Sequence, residues 1–131
     1  MARAKTERTL ITRLEEEEIT EIHCGYRHFK LSLKRGIIEE GHKCQGLTDF
    51  DEGVITLERS NNHETVRETL LHELVHVVLE VSGLGDDEDG KPTHVNNEEL
   101  TTRVSRGLLL LMNLNPELFS ILNERQETEP S

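Results

Sequence analysis

The sequence predicts an α+β domain, with a small antiparallel sheet first, one long central helix next and a pair of helices at the C-terminal end. Three observations predict it. Residues 26–34 (YRHFKLSLK) alternate apolar and polar side chains, residues 47–59 (LTDFDEGVITLER) read as two short strands about a turn, and residues 61–83 carry apolar positions at helical spacing between legible ends. Strands followed by helices is the order expected of an α+β arrangement.

At 131 residues the chain makes one domain with a modest core. Residues 1–20 hold only sparse apolar positions (Leu10, Ile11, Leu14) before the acid run at 15–18. They read either as a short helix or as a frayed, solvated end, and residues 1–18 and 124–131 are taken as mobile termini. In the first strand Phe29, Leu31 and Leu33 share one face while His28, Lys30, Ser32 and Lys34 share the other. In the strand pair the turn falls at Asp51, Glu52 and Gly53, and Ile55 and Leu57 point the same way.

The long helix begins at Asn61, which can act as N-cap with Glu64 three residues later, and stops at Gly83. Val66, Leu70, Leu74, Val77 and Val81 form one apolar stripe; Leu71, Val75 and Leu79 form another. A helix apolar on most sides belongs at the centre of the core. The Gly- and Asp-rich segment 82–94 is a loop. A further helix covers about 96–113 with Leu100, Val104, Leu108 and Leu111 on one stripe, and Pro116 opens a last short helix carrying Leu118, Phe119, Ile121 and Leu122.

Composition removes several function classes. Lys+Arg 15 against Asp+Glu 26 gives a net charge of −11, which disfavours direct nucleic-acid binding by phosphate neutralisation. No stretch has the length of a membrane span and no signal-peptide core is visible, so no membrane association is expected. Two cysteines, Cys24 and Cys44, do not make a secreted disulfide framework. The expectation is a cytoplasmic protein with reduced thiols.

Within the long helix lies His72-Glu73-Leu74-Val75-His76, an H-E-x-x-H. Residues four apart on a helix lie one above the other, so both imidazoles can face one metal ion. Glu73 stands at the side of that face, where it can reach the attacking water without binding the metal. This is the donor set of a zinc hydrolase: His72 and His76 as metal ligands, Glu73 as the catalytic general base. The motif is short, and its weight comes from its place on a capped apolar helix after strands and before an acid-bearing helix.

A catalytic zinc site takes three protein ligands and one open position. The segment after His76 (VVLEVSGLG) has no histidine, which excludes the H-E-x-x-H-x-x-G-x-x-H subclass. Candidates for the third ligand are Glu80, His94, Glu98 and Glu99. Glu80 continues the line of both histidines and closes a tetrahedron poorly. At about 100° per residue, Glu98 lies about 80° from the centre of its helix's apolar stripe, whereas Glu99 points away, so Glu98 is the preferred ligand.

H-E-x-x-H on one helix, followed on the next by residues 98–109 (EELTTRVSRGLL), resembles the ImmA/IrrE-type zinc metallopeptidases and the small phage-type proteins with the same motif. Residues 46–57 (GLTDFDEGVITL) are similar to the strand pair that precedes the motif in such proteins. The resemblance spans about residues 44–112. It implies Zn2+, a minimal zincin-like domain, Glu98 as third ligand and cleavage of peptide bonds in a protein or peptide substrate; relatives often act on a DNA-binding repressor. The chain departs from the family pattern at Val75, where Gly is usual, and after Met112, where Asn113 stands in place of Pro.

Two function classes therefore stand: a zinc-dependent endopeptidase, and a zinc-bound protease-like regulatory or binding module with little turnover. Tyr26, His63, His94 and Arg103 are candidates to stabilise a tetrahedral oxyanion. His23, Cys24, His42 and Cys44 form a weaker candidate grouping for a structural zinc. The acidic loop 86–89 lacks the spacing of a calcium-binding loop.

Overall fold

A computed structural model describes residues 7–84, 96–124 and 127–128. Its elements in chain order are β1 (Glu7–Arg8), α1 (Leu10–Glu16), β2 (Glu21–His23), β3 (His28–Lys34), β4 (Ile38–Glu39), β5 (His42–Lys43), β6 (Gly46–Asp49), β7 (Val54–Glu58), α2 (His63–Val81), α3 (Asn97–Leu114), α4 (Pro116–Leu122) and β8 (Glu127–Thr128). The fold is mixed α+β, as the alternation and helical periods predict.

The main sheet has the order β2-β3-β7-β6. Its outer pairs are antiparallel, but the central pair is parallel, with Lys30 opposite Val54 and Lys34 opposite Glu58. The sheet is thus mixed rather than antiparallel throughout. The reason is connective: β6 folds back on β7 through a tight turn, and β7 then occupies the side of β3 that a direct hairpin would have taken. Two short ribbons, β1 with β8 and β4 with β5, complete the strands. Neither ribbon nor β2 has an alternating run long enough to be read from sequence.

Phe29, Leu31, Ile55 and Leu57 point from the sheet into the core, where they meet Val66, Leu70, Leu74, Val77 and Val78 of α2. Of the two stripes expected on α2, the first is buried except for Val81, which is half-buried, and the second is not: Leu71 is exposed and Val75 and Leu79 are half-buried. The helix therefore lies on the sheet by one face. Its start is one residue later than expected: Asn62 is the N-cap, its Oδ1 accepting the Thr65 amide at 2.9 Å, while Asn61 bonds to Gln45 across the loop. Gly83 follows the last turn with φ +72°, the left-handed stop that its type permits.

α3 runs antiparallel to α2, with Arg103 beside Ser82 and Gly107 beside Val78. A Cβ at Gly107 would stand 2.8 Å from Val78 Cγ1, so the absent side chain sets how closely the two helices approach. Asn96 caps α3 through a 2.7 Å bond from the Glu99 amide. Of the ends taken as mobile, residues 10–16 form α1, with Leu10, Ile11 and Leu14 in the core, and Arg13 holds Glu124 at 2.8 Å. Glu127 and Thr128 pair with β1. Among the described residues no helix is long and apolar enough to cross a membrane.

His63, the first residue of α2, is buried, and its Nδ1 accepts the Leu10 amide at 2.9 Å. That amide is one of the four that a helix start leaves without an internal partner. His63→Leu leaves it buried and unbonded, so stability should fall by about 1–3 kcal/mol, read as a lower urea midpoint at unchanged slope.

Candidate metal centre

The face of α2 opposite the sheet carries the two histidines. With Leu70, Leu74, Val77 and Val78 committed to the core, a rotation of 100° per residue puts His72 and His76 on the open side, and both are exposed. Their Nε2 atoms stand 3.1 Å apart and the rings meet edge to face, with centroids 4.7 Å apart. Two nitrogens bound at about 2.0–2.1 Å to one tetrahedral zinc would lie about 3.3 Å apart. The pair fits two adjacent corners of such an ion.

Glu73 is placed differently. Its side chain is 7% exposed against 67% for His72, because β6 closes over it. Thr48 of β6 donates its Oγ1–H to Glu73 Oε1 at 2.8 Å, while Oε2 stands 3.9 Å from His72 Nε2. A buried carboxylate needs such a donor, since burial without one is costly. One oxygen is anchored and the other is turned toward the imidazoles, as a proton acceptor beside a metal ion requires. Donor atoms of His72, Glu73 and His76 all lie within 4.8 Å of one another.

The approach of β6 depends on Gly46. A Cβ there would stand 2.6 Å from Thr69 Cγ2, 3.3 Å from the Thr56 carbonyl oxygen and 3.5 Å from Glu73 Cγ. Gly46 and Thr48 share the strand face that meets α2. Neither stood out in the sequence; the visible trace was small residues at period two, Gly46 and Thr48, in a short strand just ahead of the helix. A cavity of about 470 Å³ lies along this seam, lined by Gln45, Gly46, Thr65, Glu68, Thr69 and His72 among others. A larger one, about 740 Å³, runs between α2 and α4 past Leu71, Met112 and Phe119, but neither His72 nor Glu73 lines it.

Glu98, expected as the third ligand, does not join the group. The antiparallel register that sets Val78 against Gly107 places Glu98 about 16 Å beyond His76 along the axis of α2, several times the length of a glutamate side chain. Phase fails as well as register: Arg103 and Gly107 mark the side of α3 that meets α2, and at about 100° per residue Glu98 lies about 180° from Gly107 and is exposed, whereas Glu99 is half-buried. Glu99 is engaged by Arg103 at 2.5 Å, Glu80 is exposed on α2, and His94 lies outside the described residues.

The oxyanion candidates are likewise dispersed. His63 binds the Leu10 amide, Arg103 binds Glu99 and the Ser82 carbonyl, and Tyr26 is 77% exposed near Arg106 and Leu110. Cys24, His42 and Cys44 belong to no donor group with His23. Cys24 is a core residue, and burial pushes its thiol above the ordinary range, against the thiolate that a metal would need.

Gly46→Ala should force β6 away from α2 and cost about 1–3 kcal/mol of stability, checked by chemical denaturation.

Compared with family models, with curated proteins and with solved structures, the chain matches none of them.

Proposed function

We propose that this chain is a zinc-dependent metallopeptidase on a small zincin-like scaffold. The observation that carries the reading is the pairing of two imidazole nitrogens 3.1 Å apart with a buried carboxylate anchored by Thr48 on one oxygen only. Two structural histidines bonded to backbone would not need to face each other, and a solvated glutamate would not be closed over by a strand.

Zinc, when bound, polarises the scissile carbonyl and lowers the pKa of the attacking water to about 7. His72 and His76 would hold it. Glu73 accepts the water's proton at Oε2 and returns it to the leaving amine, while Thr48 keeps the carboxylate from swinging onto the ion. β6 ends the sheet, so its outer backbone edge can take an extended peptide as one more strand. The seam cavity beside Thr65, Glu68 and Thr69 then receives a side chain of that peptide.

Metal analysis and proteolysis of the wild type and Glu73→Gln test this. The wild type should contain stoichiometric zinc and cleave an unfolded protein substrate. Glu73→Gln should keep its zinc and lose about 10²–10⁴-fold in kcat. Full activity in Glu73→Gln sinks the base assignment, and a metal-free α2 site in the wild type sinks the whole reading.

Thr48→Val should lower kcat by roughly tenfold while zinc content stays the same, because the variant removes only the bond that aims Glu73. The placement of Glu98 favours a second reading, a zinc-bound binding module without turnover, since on α2 only two imidazoles and Glu73 converge among the described residues. Retained zinc with no cleavage of any substrate by the wild type selects it.

A further inference from the structure

We infer that the sheet edge opposite β6 carries a second divalent-metal site, formed by Glu21, His23 and His28. β2 and β3 pair antiparallel with His23 directly opposite His28, and Glu21 lies two residues before His23 on the same strand face. The other face holds Ile22 and Phe29, both fully buried, so the three donors share the outer surface of the hairpin. One ligand atom from each lies within 4.8 Å of the other two. His23 Nδ1 and His28 Nδ1 face each other at 2.5 Å with the rings edge to face, closer than the about 3.3 Å between two corners of a tetrahedral zinc, so the rings would part slightly around an ion.

The strand beneath these donors is held in place. The His23 amide donates to Asn115 Oδ1 at 2.8 Å, and Asn115 Nδ2 donates back to the His23 carbonyl at 2.5 Å. Asn115 is itself buried at the junction of α3 and α4, where its Nδ2 also meets the Leu111 carbonyl at 2.8 Å. A side-chain amide thus completes the backbone bonding of β2 at this point and fixes where the His23 ring stands. Preorganisation of that kind is what a metal site needs from its supports. An adjoining cavity of about 400 Å³ is lined by Glu18, Glu21, His23 and Glu117 among others, so an ion entering here meets negative charge and room for water ligands.

The donor chemistry sets the class of ion. Two imidazoles and one carboxylate suit zinc, nickel or copper(II), whereas calcium and magnesium seek oxygen ligands. Three donors from a two-strand ribbon leave at least one position to water. The site lies across the sheet from His72 and His76 and shares no residue with them, so it does not rest on the peptidase reading. Bound metal would tie β2 to β3 at the end of the hairpin nearest Asn115.

Zinc titration followed by calorimetry and metal analysis on the full chain tests this. The proteins are wild type, His72→Ala/His76→Ala, that variant with His23→Ala/His28→Ala added, and His72→Ala/His76→Ala with Glu21→Gln. Because His23 and His28 lie on the outer face, circular dichroism should report an unchanged fold. The first double variant should still bind one Zn2+, and its melting temperature should rise with added zinc. His23→Ala/His28→Ala should abolish that binding, and Glu21→Gln should weaken it by at least about tenfold, the lower end of the loss that disturbing a metal site's supports causes. The inference is overturned if His72→Ala/His76→Ala takes up no zinc, or if its residual zinc persists without His23 and His28. Zinc held by the hairpin in both wild type and His72→Ala/His76→Ala, at the same single equivalent, supports this site while removing the one on α2.

Discussion

The rotational phase of α2 is the constraint on which the remaining features depend. Val66, Leu70, Leu74, Val77 and Val78 must leave water, and together they occupy one side of a 19-residue helix. Once that side is against the sheet, every other residue of the helix has an assigned direction. His72 and His76 face outward. Glu73, one step round, meets the edge strand. Rotating the helix by a single residue would carry His76 into the core in one sense and turn Glu73 out into solvent in the other.

The second determinant is how near β6 comes. An edge strand with a full side chain at position 46 would stand further from α2, and Glu73 would become an ordinary surface acid. Gly46 removes the obstacle and Thr48 supplies the hydrogen-bond donor that makes the resulting burial tolerable. The carboxylate's setting is thus made by residues of no chemical reactivity, on a strand that precedes the motif by more than twenty positions. The opposite sheet edge uses a different device: Asn115 reaches from the helical layer to complete the backbone bonding of His23.

Much of this was legible in the chain. The period-two run at Phe29, Leu31 and Leu33, the turn before Ile55 and Leu57, the stop at Gly83 and the helix start at Pro116 are local signals, and local physics honours them. The H-E-x-x-H placed His72, Glu73 and His76 together because a helix fixes the spacing. What could not be read depends on how elements meet. The parallel pairing of β3 with β7 and the register of α2 on α3 that carries Glu98 away from His76 arise from contacts between segments whose sequences do not advertise one another, while the juxtaposition of His23 with His28 comes from a short hairpin whose first strand is too brief to alternate visibly. The second stripe on α2 failed as a core signal for the same reason: Leu71 has the right residue type but no layer above it.

The parallel pair at the centre of the sheet also bears on how the molecule assembles. β6 and β7 are joined by a turn of four residues, 50–53, and can zip together as a hairpin on their own. β3 and β7 have no such start, since their first partners, Lys30 and Val54, are 24 positions apart in the chain and cannot pair until that long loop has closed. The cost of closing a long loop therefore falls on the middle seam and not on the hairpins β2–β3 and β6–β7, whose strands are neighbours in the chain. Each candidate metal site sits against one of those hairpins, yet neither is complete within it: Glu73 comes from α2 once it lies on the sheet, and His23 is held by Asn115 from the junction of α3 and α4.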